Sequence, residues 1–153
     1  MTAVGDRPAF LHAPDPANPG WLTWELSDPT RFNRVLGKML VRLEDDGRAR
    51  VRMFPDHGHG NLSGALHGGV SLAFIDIALF AGARLFGLVE AGTAVTLDLS
   101  TQFIAAGRIG EPLDAEVELL RETGRLLFMR GLLVQGDDTI AGFSGTIRKP
   151  GAR

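Results

Sequence analysis

Hydrophobic and polar positions divide the chain into two alternating stretches, one uniformly apolar stretch and four further strand-like ones. In the first, Val35, Gly37, Met39, Val41 and Leu43 share one side; in the second, Ala49, Val51 and Met53 do. A period of two predicts strands, and Asp46-Gly47 between them predicts a hairpin turn. Arg48, Arg50 and Arg52 fall on the opposite side. With Glu44, Asp45 and Asp46 beside them, they read as an exposed polar sheet face rather than a binding stripe. Residues 65–86 then run ALHGGVSLAFIDIALFAGARLF, and between Gly68 and Ala83 the single charge is Asp76. That stretch predicts a helix apolar on every side, which belongs in a core or a membrane. A bilayer span needs about 20 apolar residues, and this run is shorter with a carboxylate at its centre. It is expected to be buried in protein.

The remaining pattern is again strand-like. Val95, Leu97, Leu99 and Phe103 alternate with Thr96, Asp98, Ser100 and Gln102, and Leu113, Ala115, Val117 and Leu119 alternate with acidic residues. Residues 125–135 are more evenly apolar, and 139–148 alternate weakly. Short turns at residues 122–124 and 136–138 predict an antiparallel meander. The order is two strands, one long helix and four strands, an α+β architecture. A helix apolar all round needs a sheet that curls about it, a second subunit over its remaining face, or both. Ahead of this domain, expected over residues 35–149, lies an arm of 1–34 with Pro8, Pro14, Pro16 and Pro19. It carries Trp21 and Trp24, and Asp28-Pro29 predicts the start of a short helix there.

Composition narrows the chemistry. Sixteen basic and eighteen acidic residues leave a net charge of −2, which offers no electrostatic reason for a nucleic-acid or anionic-membrane partner. The chain has no cysteine, so disulfides, thiolate nucleophiles and cysteine-bound zinc are excluded. No basic region followed by an apolar run opens the sequence, and a cytoplasmic location is expected. His57 and His59 invite a metal reading with Asp56 and His67, but no later cluster completes it, and neither metal nor cofactor is expected. Ser63 and Ser144 complete no nucleophile elbow, and the glycines give no dinucleotide or phosphate-loop spacing.

Asp76 is the informative residue, because a carboxylate inside an apolar helix is costly to bury without a partner. A structural role, bonding a neighbouring strand, and a catalytic one are both open on that ground alone. Gly64, Gly68 and Gly69 with His67 frame the helix start. Free backbone N–H groups there, with the helix dipole, suit an oxygen that gains negative charge in acyl transfer. His67 and Asp76 are nine residues apart, about 900° of rotation and about 13.5 Å of rise. They lie on opposite faces, too far apart to meet one carbonyl. If both the helix start and Asp76 contact one substrate, they come from different subunits of a dimer.

Residues 61–76, NLSGALHGGVSLAFID, resemble the signature of hotdog-fold thioesterases, in the branch of the phenylacetate-pathway enzymes. Asn61, His67, Gly68, Gly69 and Asp76 match it position by position, and the likeness covers about residues 35–148. The resemblance implies a hotdog fold, a curled antiparallel sheet of five to six strands around one central helix. It implies an acyl-CoA thioesterase acting on acyl- or aryl-acyl-CoA, as a homodimer with shared sites or a homotetramer of two such dimers. It implies that Asp76 acts as general base or nucleophile, and that the Gly69 N–H, with Gly68 nearby, polarises the thioester oxygen. Asn61 would orient water or carbonyl, His67 would position the loop, and Thr96 would hold the water. Arg108 becomes a candidate for the CoA nucleotide, against the simpler reading of a solvated turn. A hotdog domain that binds acyl-CoA without turnover is the alternative, and a hydratase or dehydratase a third reading. The intact acid and His-Gly-Gly start favour the enzyme.

Overall fold

The computed structural model describes residues 10–90 and 93–151. Strands β1 (Phe10–Leu11), β2 (Leu22–Thr23) and β3 (Glu25–Leu26) belong to the arm. Strands β4 (Met39–Leu43) and β5 (Ala49–Met53) precede helix α1 (Gly68–Leu85). After it come β6 (Val95–Phe103), β7 (Leu113–Glu122), β8 (Leu126–Gln135) and β9 (Asp138–Arg148). Seven strands form one antiparallel sheet in the order β2-β4-β5-β7-β8-β9-β6, while β1 pairs with β3 apart from it. This is the α+β order that the pattern predicts and the hotdog fold that the resemblance implies, with a larger sheet than the five to six strands expected. The extra strand is β2, where Leu22 and Thr23 of the arm pair with Val41 and Leu40.

The period-two pattern of β5 is real. Ala49, Val51 and Met53 are buried and Arg50 and Arg52 only partly covered. The first predicted strand is shorter than its pattern. Gly37 turns the chain at φ 71°, and Val35 lies in a 3-10 turn, Phe32–Leu36, where its side chain is exposed. Asp28 does not start a helix; its carboxylate accepts from the Thr30 N–H and hydroxyl and pairs with Arg31, closing a local turn instead. Asp and Asn make such turns as readily as caps. Arg48, Arg50 and Arg52 are a structural network rather than a bare polar face. Arg52 grips Asp114 through Nε at 2.6 Å and Nη2 at 2.8 Å, and Arg50 reaches Asp114 at 2.9 Å and Glu116 at 2.5 Å across the β5–β7 pairing.

The helix is held by its ends and by its apolar faces. His67 caps its start, the ring Nδ1 accepting from the Gly69 N–H at 2.9 Å. At the other end Gly87, at φ 73°, supplies the left-handed residue of a Schellman motif. The Leu88 N–H donates to the Ala83 carbonyl and the Gly87 N–H to that of Arg84. Phe74, Ile75, Ala78, Leu79, Ala81 and Ala83 are fully buried against the sheet, each large side chain contributing about 1.5–3 kcal/mol. Small residues let the layers close: a Cβ on Gly145 of β9 would come within 2.5 Å of Leu79 Cδ1. The helix is long and apolar enough to cross a membrane by length and composition, and the sheet wrapped on it accounts for that composition.

Candidate active site

The packing that buries Phe74, Ile75 and Leu79 turns Asp76 toward the remaining side, where it is only partly covered. There it meets Thr96 near the start of β6. The Thr96 hydroxyl donates to Asp76 Oδ1 at 2.6 Å, a length typical of a hydrogen bond to a carboxylate. The β6–β9 register shifts between Thr96 and Asp98. Such bulges re-aim side chains beside functional sites. Thr96, placed by resemblance alone, is therefore in contact with the acid.

Asp76 lines a pocket of about 260 Å³. Ile77, Phe80 and Arg84 of the same helix line it, as do Val89, Glu90 and Ala94 beyond its end and Trp24, Leu26 and Asn33 of the arm. Its surface is mostly apolar, as ligand pockets commonly are. Leu26, Asn33 and Arg84 were not anticipated. No local pattern marks them, because the arm meets the helix only through the fold. Of the helix phenylalanines, Phe74 is core and Phe80 lines the pocket.

The helix start forms a separate depression of about 340 Å³, lined among others by Asn61, Gly68, Ser71 and Phe103. It shares no lining residue with the Asp76 pocket. Within one chain, then, the acid and the helix start are not brought together, as the nine-residue spacing requires. The donors there differ from the expectation of an open Gly69 N–H. That group is taken by the His67 ring, the Val70 and Ser71 N–H groups donate to the His67 carbonyl, and the Gly68 N–H has no acceptor among the described residues. A Cβ on Gly68 would meet only Phe103 Cζ at 3.5 Å, ordinary contact, whereas one on Gly69 would press on His67 Nδ1 at 3.0 Å. Asn61 organises its own loop, Oδ1 accepting from the Ser63 N–H at 2.9 Å and the Ala65 N–H at 3.1 Å.

Other candidates are engaged elsewhere. Arg108 donates to Glu111 and to Asp138, both at 2.8 Å, and its N–H bonds Gln135. The hydrogen bonds to Glu111 and then to Asp138 hold its guanidinium above the ordinary arginine value. It is a knot between loop and sheet, the solvated-turn reading, with its charge already answered. His59 is buried, with Nε2 at 2.7 Å from the Val35 carbonyl and Nδ1 accepting from the Asp56 N–H at 3.0 Å. Both ring nitrogens are committed to backbone, which leaves neither for a metal.

The profile of the thioesterase superfamily matches residues 63–141, just over half of the chain, from the loop before the helix into β9. The chain belongs to the thioesterase superfamily. It is a thioester hydrolase by that membership, and its relatives agree. Human acyl-coenzyme A thioesterase 13 is 26% identical over 98 residues, 63% of this chain and 68% of that one. A variant of the phenylacetic acid degradation protein PaaI from Thermus thermophilus is 27% identical with a TM-score of 0.64, covering 80% of this thioesterase and 99% of that chain. A hypothetical thioesterase from Streptococcus pneumoniae, solved with coenzyme A, shares the fold at a TM-score of 0.68 and 18% identity, covering 79% and 92%.

Proposed function

We propose that this thioesterase hydrolyses acyl-CoA thioesters to free acid and CoA, at sites shared between two subunits, with Asp76 as the reacting carboxylate. One observation carries the reading: Asp76 is bonded to Thr96 and faces a small apolar pocket lined by Phe80, Trp24 and Ile77. A merely structural aspartate would need no such cavity. The names of the relatives, acyl-coenzyme A thioesterase 13 among them, support the substrate class.

In the simplest course Asp76 accepts a proton from water as the water oxygen attacks the thioester carbonyl carbon. Negative charge then grows on the carbonyl oxygen, and backbone donors at the helix start of the partner subunit stabilise it. Gly68 offers an uncommitted N–H, and Gly69 adds its own once the His67 ring swings aside. Collapse of the intermediate breaks the C–S bond, and the departing CoA sulfur takes the proton held by Asp76. In the alternative course Asp76 attacks the carbonyl carbon directly, the C–S bond breaks to release CoA thiolate, and water opens the acyl-aspartyl anhydride to the free acid and the Asp76 carboxylate, its released proton balancing the thiolate. In this reading Asn61, which lines the depression with Gly68, orients the carbonyl or the water through its side-chain amide N–H.

The shared site accords with what the surface leaves uncovered. Strand β6 is an edge of nine residues with Val95, Leu97 and Phe103 exposed, and Leu72 on the helix is exposed on the same chain. A long apolar edge is a liability unless another chain covers it. The reading is tested by thiol release from a panel of aryl and straight-chain acyl-CoAs, with wild type beside Asp76→Asn. Turnover lost in the variant supports it; tight binding without thiol release from either protein makes the chain a ligand-binding hotdog domain.

A further inference from the structure

The arm lies outside residues 63–141 that match the superfamily. It adds a wall. Trp24, Leu26 and Asn33 face Asp76, Phe80 and Arg84 of the helix across the pocket. The wall is firmly fixed. Leu22 and Thr23 extend the main sheet, and the Trp24 N–H donates to the Met39 carbonyl at 3.0 Å. Trp21, immediately before β2, has the Arg42 and Arg52 guanidinium groups at 4.3 and 4.6 Å from its ring centre. Trp24 itself is 3% exposed, with the Arg84 guanidinium 5.7 Å from its ring centre, within the range of a cation–π contact.

These observations set a length scale. Arg84 is eight residues beyond Asp76, about 12 Å along the helix axis, and helical side chains lean back toward the N-terminus. The Trp24–Arg84 pair therefore closes the pocket within about two turns of the reacting carboxylate. The pocket volume, about 260 Å³, falls below the range of about 300–1,000 Å³ usual for drug-sized ligands. A space of this size suits a short or compact acyl group better than a long fatty one.

We propose that the arm, through Trp24 backed by Arg84, sets the acyl limit of this thioesterase, which acts on short or compact acyl thioesters and rejects long fatty acyl ones. The inference rests on the Asp76 pocket being the acyl site. Selectivity then comes from a segment that takes no part in the chemistry. Enlarging or shrinking the pocket shifts the preferred acyl length in opposite directions.

The test is kcat/KM by thiol release for acyl-CoAs of four, eight, twelve and sixteen carbons and for phenylacetyl-CoA. Wild type is compared with Trp24→Ala, Trp24→Phe, Leu26→Ala and Ala94→Leu. In wild type the values fall toward the longer chains. Trp24→Ala raises the ratio of twelve- to four-carbon substrate by at least about tenfold, the scale of discrimination one or two methylenes give in an apolar pocket. Trp24→Phe returns most of the limit, and Ala94→Leu, adding bulk on the opposite wall, lowers it. If Trp24→Ala melts before assay, Leu26→Ala and Ala94→Leu decide the matter from the two directions. A wild type that prefers sixteen carbons, or a length profile that no variant moves, overturns the proposal. Binding of non-hydrolysable thioether analogues of the same lengths, measured by calorimetry, separates the two readings. No hydrolysis but a length limit that follows the variants sinks the enzymatic reading alone, whereas hydrolysis without such a limit sinks this one alone.

Discussion

The contact between Thr96 and Asp76 gives the sharpest test of the chemistry. Asp76→Asn keeps the size of the side chain, and its amide oxygen still accepts from the Thr96 hydroxyl, so the fold should stand. It removes the proton acceptor and nucleophile together. General-base catalysis contributes about 10²–10⁴ in rate, so kcat should fall at least about a hundredfold. Thr96→Val keeps the β-branched shape that β6 accommodates and removes only the donor, now 2.6 Å from Asp76 Oδ1. A hydrogen bond to a charged acceptor is worth about 1.5–3 kcal/mol. If it is expressed in the transition state, kcat/KM falls between about tenfold and about 150-fold. Because Thr96 acts through Asp76, the double variant should be no slower than Asp76→Asn alone. Thiol release read with a thiol-reactive chromophore suits the assay, since the protein has no cysteine to react. Turnover of Asp76→Asn within threefold of wild type, or a Thr96→Val penalty undiminished in the Asp76→Asn background, refutes the reasoning.

Three further outcomes are expected. Mixed dimers of Asp76→Asn with Gly69→Pro subunits should regain up to about half of the per-site activity, because one of the two shared sites then has both its acid and its helix start intact; proven heterodimers with no activity would place each site within one chain. Asp114→Ala should cost about 2 kcal/mol and lower Tm by about 4–8 °C, since Asp114 is 5% exposed and takes three of the bonds from Arg50 and Arg52; calorimetry showing an unchanged Tm would deny the network its role. Asp15 is held below the usual carboxylate range by its bond to Lys38 and then by Asn18. A depressed folded value means the stabilisation is present above the unfolded Asp range, near 3.9, and is lost as pH falls through the lower folded value. The arm should loosen in acid, read by tryptophan fluorescence, because both tryptophans, Trp21 and Trp24, lie in it; Asp15→Asn with the same acid profile as wild type would exclude this pair.

The fold was legible where burial imposes a period. β5 has one face on the core, and Ala49, Val51 and Met53 mark it without ambiguity. The helix was legible because Gly68–Leu85 is wrapped by the sheet and so carries almost no charge. The pattern misled where backbone geometry overrides side-chain alternation. Val35 and Gly37 continue the period of β4, yet Gly37 takes a positive φ and ends it. Asp28-Pro29 has the composition of a helix start, but the carboxylate closes a turn on Thr30 first. Strand β2 was invisible because two residues, Leu22 and Thr23, define no period; only their partners Val41 and Leu40 make them a strand.

The candidate site divides along the same line. Its chemical half is compact in sequence: residues 61–76 carry the resemblance to the family, and the nine residues from His67 to Asp76 keep the helix start and the acid from serving one carbonyl in one chain. Its pocket half is not local. Trp24 and Arg84 stand sixty residues apart and meet only because β2 pairs with β4 and carries the arm across the helix end. The state of the Gly69 N–H was equally hidden, since it depends on the rotation of the His67 ring rather than on its presence. This explains why the reaction class can be read from residues 61–76 while the acyl group cannot. On the proposed reading, chemistry needs a fixed helical spacing, and selectivity needs only a large side chain that the fold delivers to the pocket.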